Sequence, residues 1–314
     1  MAHIVKREKK KIVLGGKFLT DFKRNYDLYL LLIPGLVLLI VFKYVPMYGV
    51  SIAFKDFNIF KGMAESPWVG MGNFVRLFQS EEFYRIFRNT LIISIYKIVF
   101  TFPIPVIIAI MLNEMKNMVV KKTVQTVIYL PHFLSWVIVG GIFTTILSST
   151  GLINGVITKL GGDSIPFMMS NKWFRGVLIV SDAWKGCGWG AIIYIAAIAG
   201  IDQELYEAAE IDGAGKIKQI IHITLPGLAS TIVLMLILKL GHIMTEGQEQ
   251  VLMMYNPTVY ETGDIISTYV YRIGMGKMDY SFSSAVGLLN SVISLILVLG
   301  GNFISGKLVG KSIW

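Results

Sequence analysis

The sequence predicts an all-α polytopic membrane protein with six transmembrane helices, and three observations carry that reading. The 314 residues are 54% hydrophobic and only 16% charged, with a mean hydropathy of +0.64, whereas soluble chains are about 45–50% apolar and about 25% charged. Six apolar stretches each approach the roughly 20 residues a spanning helix needs. They are apolar on most faces, as lipid-exposed helices are, and none alternates with the two-residue period of a porin strand.

In chain order the spans fall at about 28–50, 89–112, 124–147, 173–201, 223–244 and 283–306. Several contain helix breakers (Pro34, Pro103 and Pro105, Pro131, Pro226), which spans tolerate when neighbouring helices satisfy the freed backbone groups. Ahead of the first span lie eight basic residues: Lys6, Arg7, Lys9, Lys10, Lys11, Lys17, Lys23 and Arg24. No small-residue cleavage site follows, so the apolar run reads as a retained anchor and not a signal peptide. The positive-inside rule keeps this tail cytoplasmic. Alternation then places fifteen Lys/Arg inside and ten outside. Both termini are expected in the cytoplasm of a multi-pass plasma-membrane protein. The net charge of +9 thus reads as a juxtamembrane, lipid-headgroup-facing charge; no interleaved aromatic platform accompanies it, so nucleic acid is not an expected partner.

Some motifs imitate chemistry. Gly301 to Lys307 begins like a phosphate-binding loop, but Leu308 follows where Ser or Thr is needed. Gly186, Gly188 and Gly190 resemble a dinucleotide fingerprint, yet they lie inside the fourth span, where small residues serve close helix packing. The single cysteine, Cys187, excludes an internal disulfide and a Cys-based zinc site. The four histidines lack metal-ligand spacing and no nucleophile elbow occurs. The expectation is a non-catalytic chain that binds no metal or cofactor of its own.

The stretch between spans four and five is the most informative. Asp202 is a credible N-cap, and Glu204 suits the positive end of a helix dipole. A short helix over 203–211 would gather Leu205, Ala208 and Ala209 on one face. Gly213 permits a turn closed to bulkier residues. A second short helix would enter the membrane at Leu225-Pro226. Physically this is a knob shaped to be gripped by another surface.

Here the chain resembles a known family. Glu207-Ala208-Ala209, three residues, Gly213, nine residues and Ile223-Thr224-Leu225-Pro226 match the EAA signature of binding-protein-dependent ABC importer permeases of the type I fold. Tyr44 to Gly49, Tyr129 to Trp136, and Tyr255-Asn256-Pro257 through Tyr269 to Arg272 look like LplB-like carbohydrate permeases of the maltose-type group. The resemblance implies that Glu207, Ala208, Ala209 and Gly213 couple to a cytoplasmic ATPase, with Leu225 and Pro226 at the joint to span five. It also implies two ATPase copies carrying ATP and Mg, a second related permease, an extracellular lipid-anchored binding protein, and a carbohydrate substrate, an oligosaccharide by preference. The expected organisation is a basic tail (1–27), a first helix and extracellular loop (28–85), a transport core (86–306) holding the coupling loop 202–222, and a cytoplasmic end (307–314).

Polar residues within spans are functional candidates by default. Asp182, Trp184, Lys185 and Trp189 in span four, His242 in span five and Asn290 in span six are therefore taken as candidates for the substrate path. Aromatic rings suit sugar C–H faces, although packing or interfacial anchoring is the simpler account of any one tryptophan. An intrahelical Asp182–Lys185 pair at i, i+3 is the simpler account of those charges. Lys97, Lys239 and His242 are expected to snorkel toward interfaces. The loops at 51–88 and 246–282 are expected to dock the binding protein. Rival readings are an importer of another solute (a polyol, glycerol phosphate or peptide), an ion-coupled transporter, or a membrane enzyme. The last two lack an inverted repeat or a nucleophile–base constellation.

Overall fold

The computed structural model describes residues 24–245 and 247–309. The basic residues up to Lys23, together with Glu246 and Lys311, lie outside the described residues. The chain divides into two compact units, 1–51 and 52–314. The helix of span one, Tyr26–Phe54, makes up nearly all of the described part of the first unit and ends three residues into the second; it is apolar, and its most hydrophobic stretch is 0% buried. It is α-helical to Leu39, turns π-helical over Ile40–Tyr44, and tightens to 3-10 from Val45.

The second unit is a helical bundle. Its long apolar helices are Glu81–Glu114, Lys216–His242 and Tyr280–Phe303, and two bent helix pairs bring the chain's candidate spans to six. Span two starts earlier than the hydropathy suggests: the Ser80 hydroxyl accepts from the Phe83 N–H at 3.3 Å, and Glu81 and Glu82 sit in the first turn. An amphipathic polar turn carries the helix beyond its apolar run. Residues 81–88 therefore belong to the helix and not to a loop. Span three is broken: Met118–Phe133 and Trp136–Ile146 meet at 104°. Pro131 opens a 3-10 turn, Leu134 is extended, and the Ser135 hydroxyl starts the next helix by accepting from the Ile138 N–H at 3.3 Å. Span four, Phe174–Ala199, bends by 71° into the helix Gln203–Ile211.

Prolines shape the remaining spans without breaking them. In span two the π turn Lys97–Thr101 ends two residues before Pro103; in span five the π turn Ile220–Thr224 ends two residues before Pro226. Widening the ladder accommodates the missing N–H and the ring clash. Consequently Lys216–His242 is one helix, and the separate short helix expected before Leu225 does not occur.

Among the described residues four apolar clusters form, and three of them tie the spans together. Val106, Ala109, Ala191, Tyr194, Ile198 and Leu228 join spans two, four and five. Ile86, Ile243, Met244, Tyr269 and Phe282 join spans two and six to the connection between five and six. Ile93, Phe174, Leu178, Val251 and Ile265 fix that connection to spans two and four. The same connection is stapled by polar groups. Asn89 donates to the carbonyls of Glu261 and Asp264, Arg175 donates to Asn89 Oδ1 at 2.8 Å, and Thr90 accepts from the Ile266 N–H at 2.9 Å. Asp264 is fully buried, pairs with Arg272 and accepts from the Thr268 hydroxyl at 2.7 Å. Arg272 also reaches Glu82 at 3.3 Å. Burial pushes the Asp264 carboxyl up, while Thr268 and Arg272 pull it back only in part.

Candidate functional site

Two sites emerge, one at the C-terminal end of span four and one along its middle. At its C-terminal end the Asp202 side chain accepts from the Glu204 N–H at 3.0 Å and caps the helix Gln203–Ile211, as expected from sequence. That helix ends in a Schellman turn: the Ala214 N–H bonds the Ala209 carbonyl at 2.8 Å and the Gly213 N–H bonds that of Glu210 at 3.1 Å. Gly213 has φ +75° with open space where a Cβ would lie. Backbone conformation, and not crowding, is what requires glycine there.

The knob is held from behind and exposed in front. The Tyr206 hydroxyl lies 2.9 Å from that of Thr224, which sits in the π turn of span five. Lys216 reaches Glu114 at the end of span two and Glu210, each at 3.7 Å. In front, Leu205 and Ile211 are 53% and 87% exposed, with Glu207 and Ala208 also exposed. Ala209 lies half-buried on the rear face with Tyr206. The exposed apolar set is therefore Leu205, Ala208 and Ile211 rather than one including Ala209. Leu225 and Pro226 open the α-helical part of span five directly behind this loop. A polar cavity of about 450 Å³ lies beside it, its walls including Asn113, Glu114, Glu207 and Glu210.

The second site is a cavity of about 460 Å³ among spans two, four and five, lined by Thr101, Asp182, Cys187, Tyr194, Lys239 and His242 among others. Asp182, Gly186 and Gly190 give it one continuous helix face at i, i+4, i+8. The expected Asp182–Lys185 pair is not made. Asp182 Oδ1 instead meets Lys97 Nζ of span two at 3.1 Å. Lys97 does not snorkel; it is 2% exposed and also donates to Gln250 Oε1 at 2.7 Å. Gln250 in turn donates to the Leu178 carbonyl at 2.6 Å and to the Ser181 hydroxyl at 2.8 Å. A buried ammonium is tolerable because each of its neighbours is a polar group placed to receive it. Gly247, with φ +88°, lets the chain pass this ammonium, since a Cβ there would lie 2.9 Å from Lys97 Nζ.

Of the candidates in the spans, Asp182 and His242 share the cavity. Trp184 packs edge-on to Phe143, and Trp189 stacks on His132 with ring centroids 4.4 Å apart. Lys185 donates to the His132 and Leu134 carbonyls. Asn290 is buried and donates to the Met244 carbonyl at 3.3 Å. Those four face neighbouring helices instead. Close packing is the use of Gly188 and Gly190: a Cβ would fall 2.1 Å from the Ile128 carbonyl oxygen and 2.9 Å from Pro105. Sequence reasoning did not single out Thr101, Tyr194 or Gln250. Thr101 and Tyr194 were detectable as polar atoms within apolar spans; Gln250 lies in a connection whose path only the fold reveals.

The family model of the binding-protein-dependent transport system inner membrane component matches residues 87–309. Protein LplB of Bacillus subtilis (strain 168) is 44% identical over 311 residues, covering 98% of each chain. The polygalacturonan/rhamnogalacturonan transport system permease protein YteP of the same organism is 42% identical over 314 residues, covering 100% of this chain and 96% of that one. Among solved structures, a chain of a bacterial alginate ABC transporter, crystallised with an alginate pentasaccharide-bound periplasmic protein, superposes with a TM-score of 0.87. It is 40% identical, and the match covers 95% of this chain and 100% of that chain.

Proposed function

The chain belongs to the family of binding-protein-dependent transport system inner membrane components, and from that membership we propose that it forms half of the pore of an ATP-driven importer for an oligosaccharide. Relatives named for polygalacturonan/rhamnogalacturonan and alginate transport support a polysaccharide-derived substrate. The observation that carries the coupling assignment is the loop at 202–215: its EAA segment is fixed at the back by Tyr206–Thr224 and presents Leu205, Glu207, Ala208 and Ile211 outward. A capped, partly apolar knob is what a groove on a partner can grip, and its attachment to span five through Tyr206–Thr224 carries the partner's displacement onward.

In this reading two copies of a cytoplasmic ATPase, which bind ATP and Mg, hold this loop and its counterpart on a second, related permease. Their closure rocks the helices above and exposes the cavity alternately to either side. This chain supplies no catalytic residue. The tail and the coupling loop face the cytoplasm of a bacterial plasma membrane, and a lipid-anchored binding protein delivers sugar to the opposite face. The proposed division is a tail at 1–27, a first helix and loop from 28, the core to 306 and a cytoplasmic end at 307–314, with the loop–core boundary expected at 85/86 moved to Ser80, where span two begins. The substrate path runs through the cavity that Asp182 and His242 line, with Trp184, Lys185, Trp189 and Asn290 on the helix faces beside it.

The test uses two variants of the assembled transporter, Gly213→Val and Glu207→Lys. At φ +75° a β-branched residue is strained by about 1–3 kcal/mol, which distorts the turn behind the EAA segment. Both variants are expected to lose sugar uptake and co-purification of the ATPase. Retention of both properties in both variants would falsify the assignment.

A further inference from the structure

The break in span three and the lysine in span four complete one another. Between Pro131 and Ser135 the helical ladder stops, and the carbonyls of His132 and Leu134 have no helical N–H to accept. Lys185, near the middle of span four, donates its ammonium to both, at 2.7 and 2.6 Å. The Trp136 ring lies 5.5 Å from that ammonium and offers it a π face. A lysine at this depth carries a large desolvation cost unless it is fully partnered, and two orphan carbonyls at membrane depth carry a similar one. Each therefore removes the other's penalty.

The same stretch is gripped at further points. Trp189 stacks on His132 with an interplanar angle of 2°. Gly188 meets the Ile128 backbone so closely that any side chain would collide. Lys185, Gly188 and Trp189 thus occupy one face of span four, all against residues 128–134, while Asp182, Gly186 and Gly190 face the cavity. Span four continues through Gly200 into the helix that carries the EAA segment.

We propose that Lys185 is a positioning residue that locks the break of span three onto span four, so that displacement arriving through the 202–215 loop moves both as one body. This rests on the coupling role proposed above for that loop. It assigns to Lys185 a mechanical part in transport, separate from any contact with sugar.

The experiment places spin labels at Val127 and Val180, which are 63% and 60% exposed, in the assembled transporter with Cys187 replaced by serine. Distance distributions are recorded with and without nucleotide, alongside sugar transported per ATP hydrolysed. The parent is expected to give one narrow distribution, unchanged by nucleotide. Lys185→Met keeps the stem and removes the donors; it should broaden the distribution and lower transport per ATP at least about fivefold. Lys185→Arg should restore both, and Lys185→Gln, which keeps N–H donors, should fall between and remains informative if the methionine variant does not fold. A narrow, parent-like distribution in Lys185→Met, or a parent distance that shifts with nucleotide, overturns the latch. Unchanged uptake and ATPase co-purification in Gly213→Val and Glu207→Lys overturn the coupling role instead, while the distances still report on the latch.

Discussion

Lys97 is the residue whose environment departs most from what its chemistry prefers. Its ammonium is buried among Asp182, Gln250 and the Gly247 backbone. Removing one member of a buried pair costs about 3–5 kcal/mol, because the remaining charge is stranded, whereas replacing both with apolar groups is often near neutral. Asp182→Leu is therefore expected to lower stability in detergent by that amount, and Lys97→Met/Asp182→Leu to recover most of it. A single variant as mild as the double one would mean that the pair is not coupled. Asp264 yields a second prediction. Burial holds its folded-state pKa above the ordinary 3.8, so folding favours the protonated carboxyl. The stability contributed is complete below 3.8 and declines as pH rises through the raised value. Melting of the parent should consequently fall relative to Asp264→Asn as pH rises from acid toward neutral, and the opposite slope would sink the idea. At this scale the sequence identified the costly side chains but mispaired them, because i, i+3 proximity on one helix cannot reveal a lysine arriving from another.

At the scale of elements, prolines and caps explain where helices bend and where they continue. Pro46, Pro103 and Pro226 each follow a π turn by two residues, and the helices run on. Pro131 is followed by an extended residue and a serine cap, and there the helix breaks. A hydropathy profile treats both cases alike, which is why span three was expected whole. The loop at 147–165 has its own device in Asn154, which is fully buried. Its amide donates to the carbonyls of Leu147, Ser148 and Ile165, and its oxygen accepts from the Ile165 N–H. At about 1 kcal/mol net per hydrogen bond, Asn154→Ala should weaken this loop by about 2–4 kcal/mol, read as faster hydrogen exchange over 148–165. Exchange that stays at the parent rate would mean that neighbouring contacts hold the loop without it.

For the whole molecule, apolar surface is left exposed on a scale that no soluble domain tolerates. The apolar windows of spans two, five and six are only 28%, 17% and 28% buried, and the interior carries the polar network around Lys97. That distribution suits a chain surrounded by lipid and by further subunits. Leu205 and Ile211 on the loop are exposed and so contribute little to the chain's own stability. Leu205→Ser/Ile211→Ser should leave its own stability within about 0.5 kcal/mol while weakening ATPase association measured by co-purification. A matching loss of thermal stability would place these side chains in the fold instead.

Composition and local pattern determined the helical membrane architecture, the approximate spans and the capped EAA helix with its glycine turn. Each of these depends on neighbours within a few residues or on the length of an apolar run, and both are written directly in the chain. Tertiary structure alone decided that Asp182 pairs with Lys97, that Lys185 serves the broken third span, and which face of span four borders a cavity. Those outcomes depend on groups 50 or more residues apart in the chain, brought together because polar atoms at membrane depth must find partners wherever the packing places them.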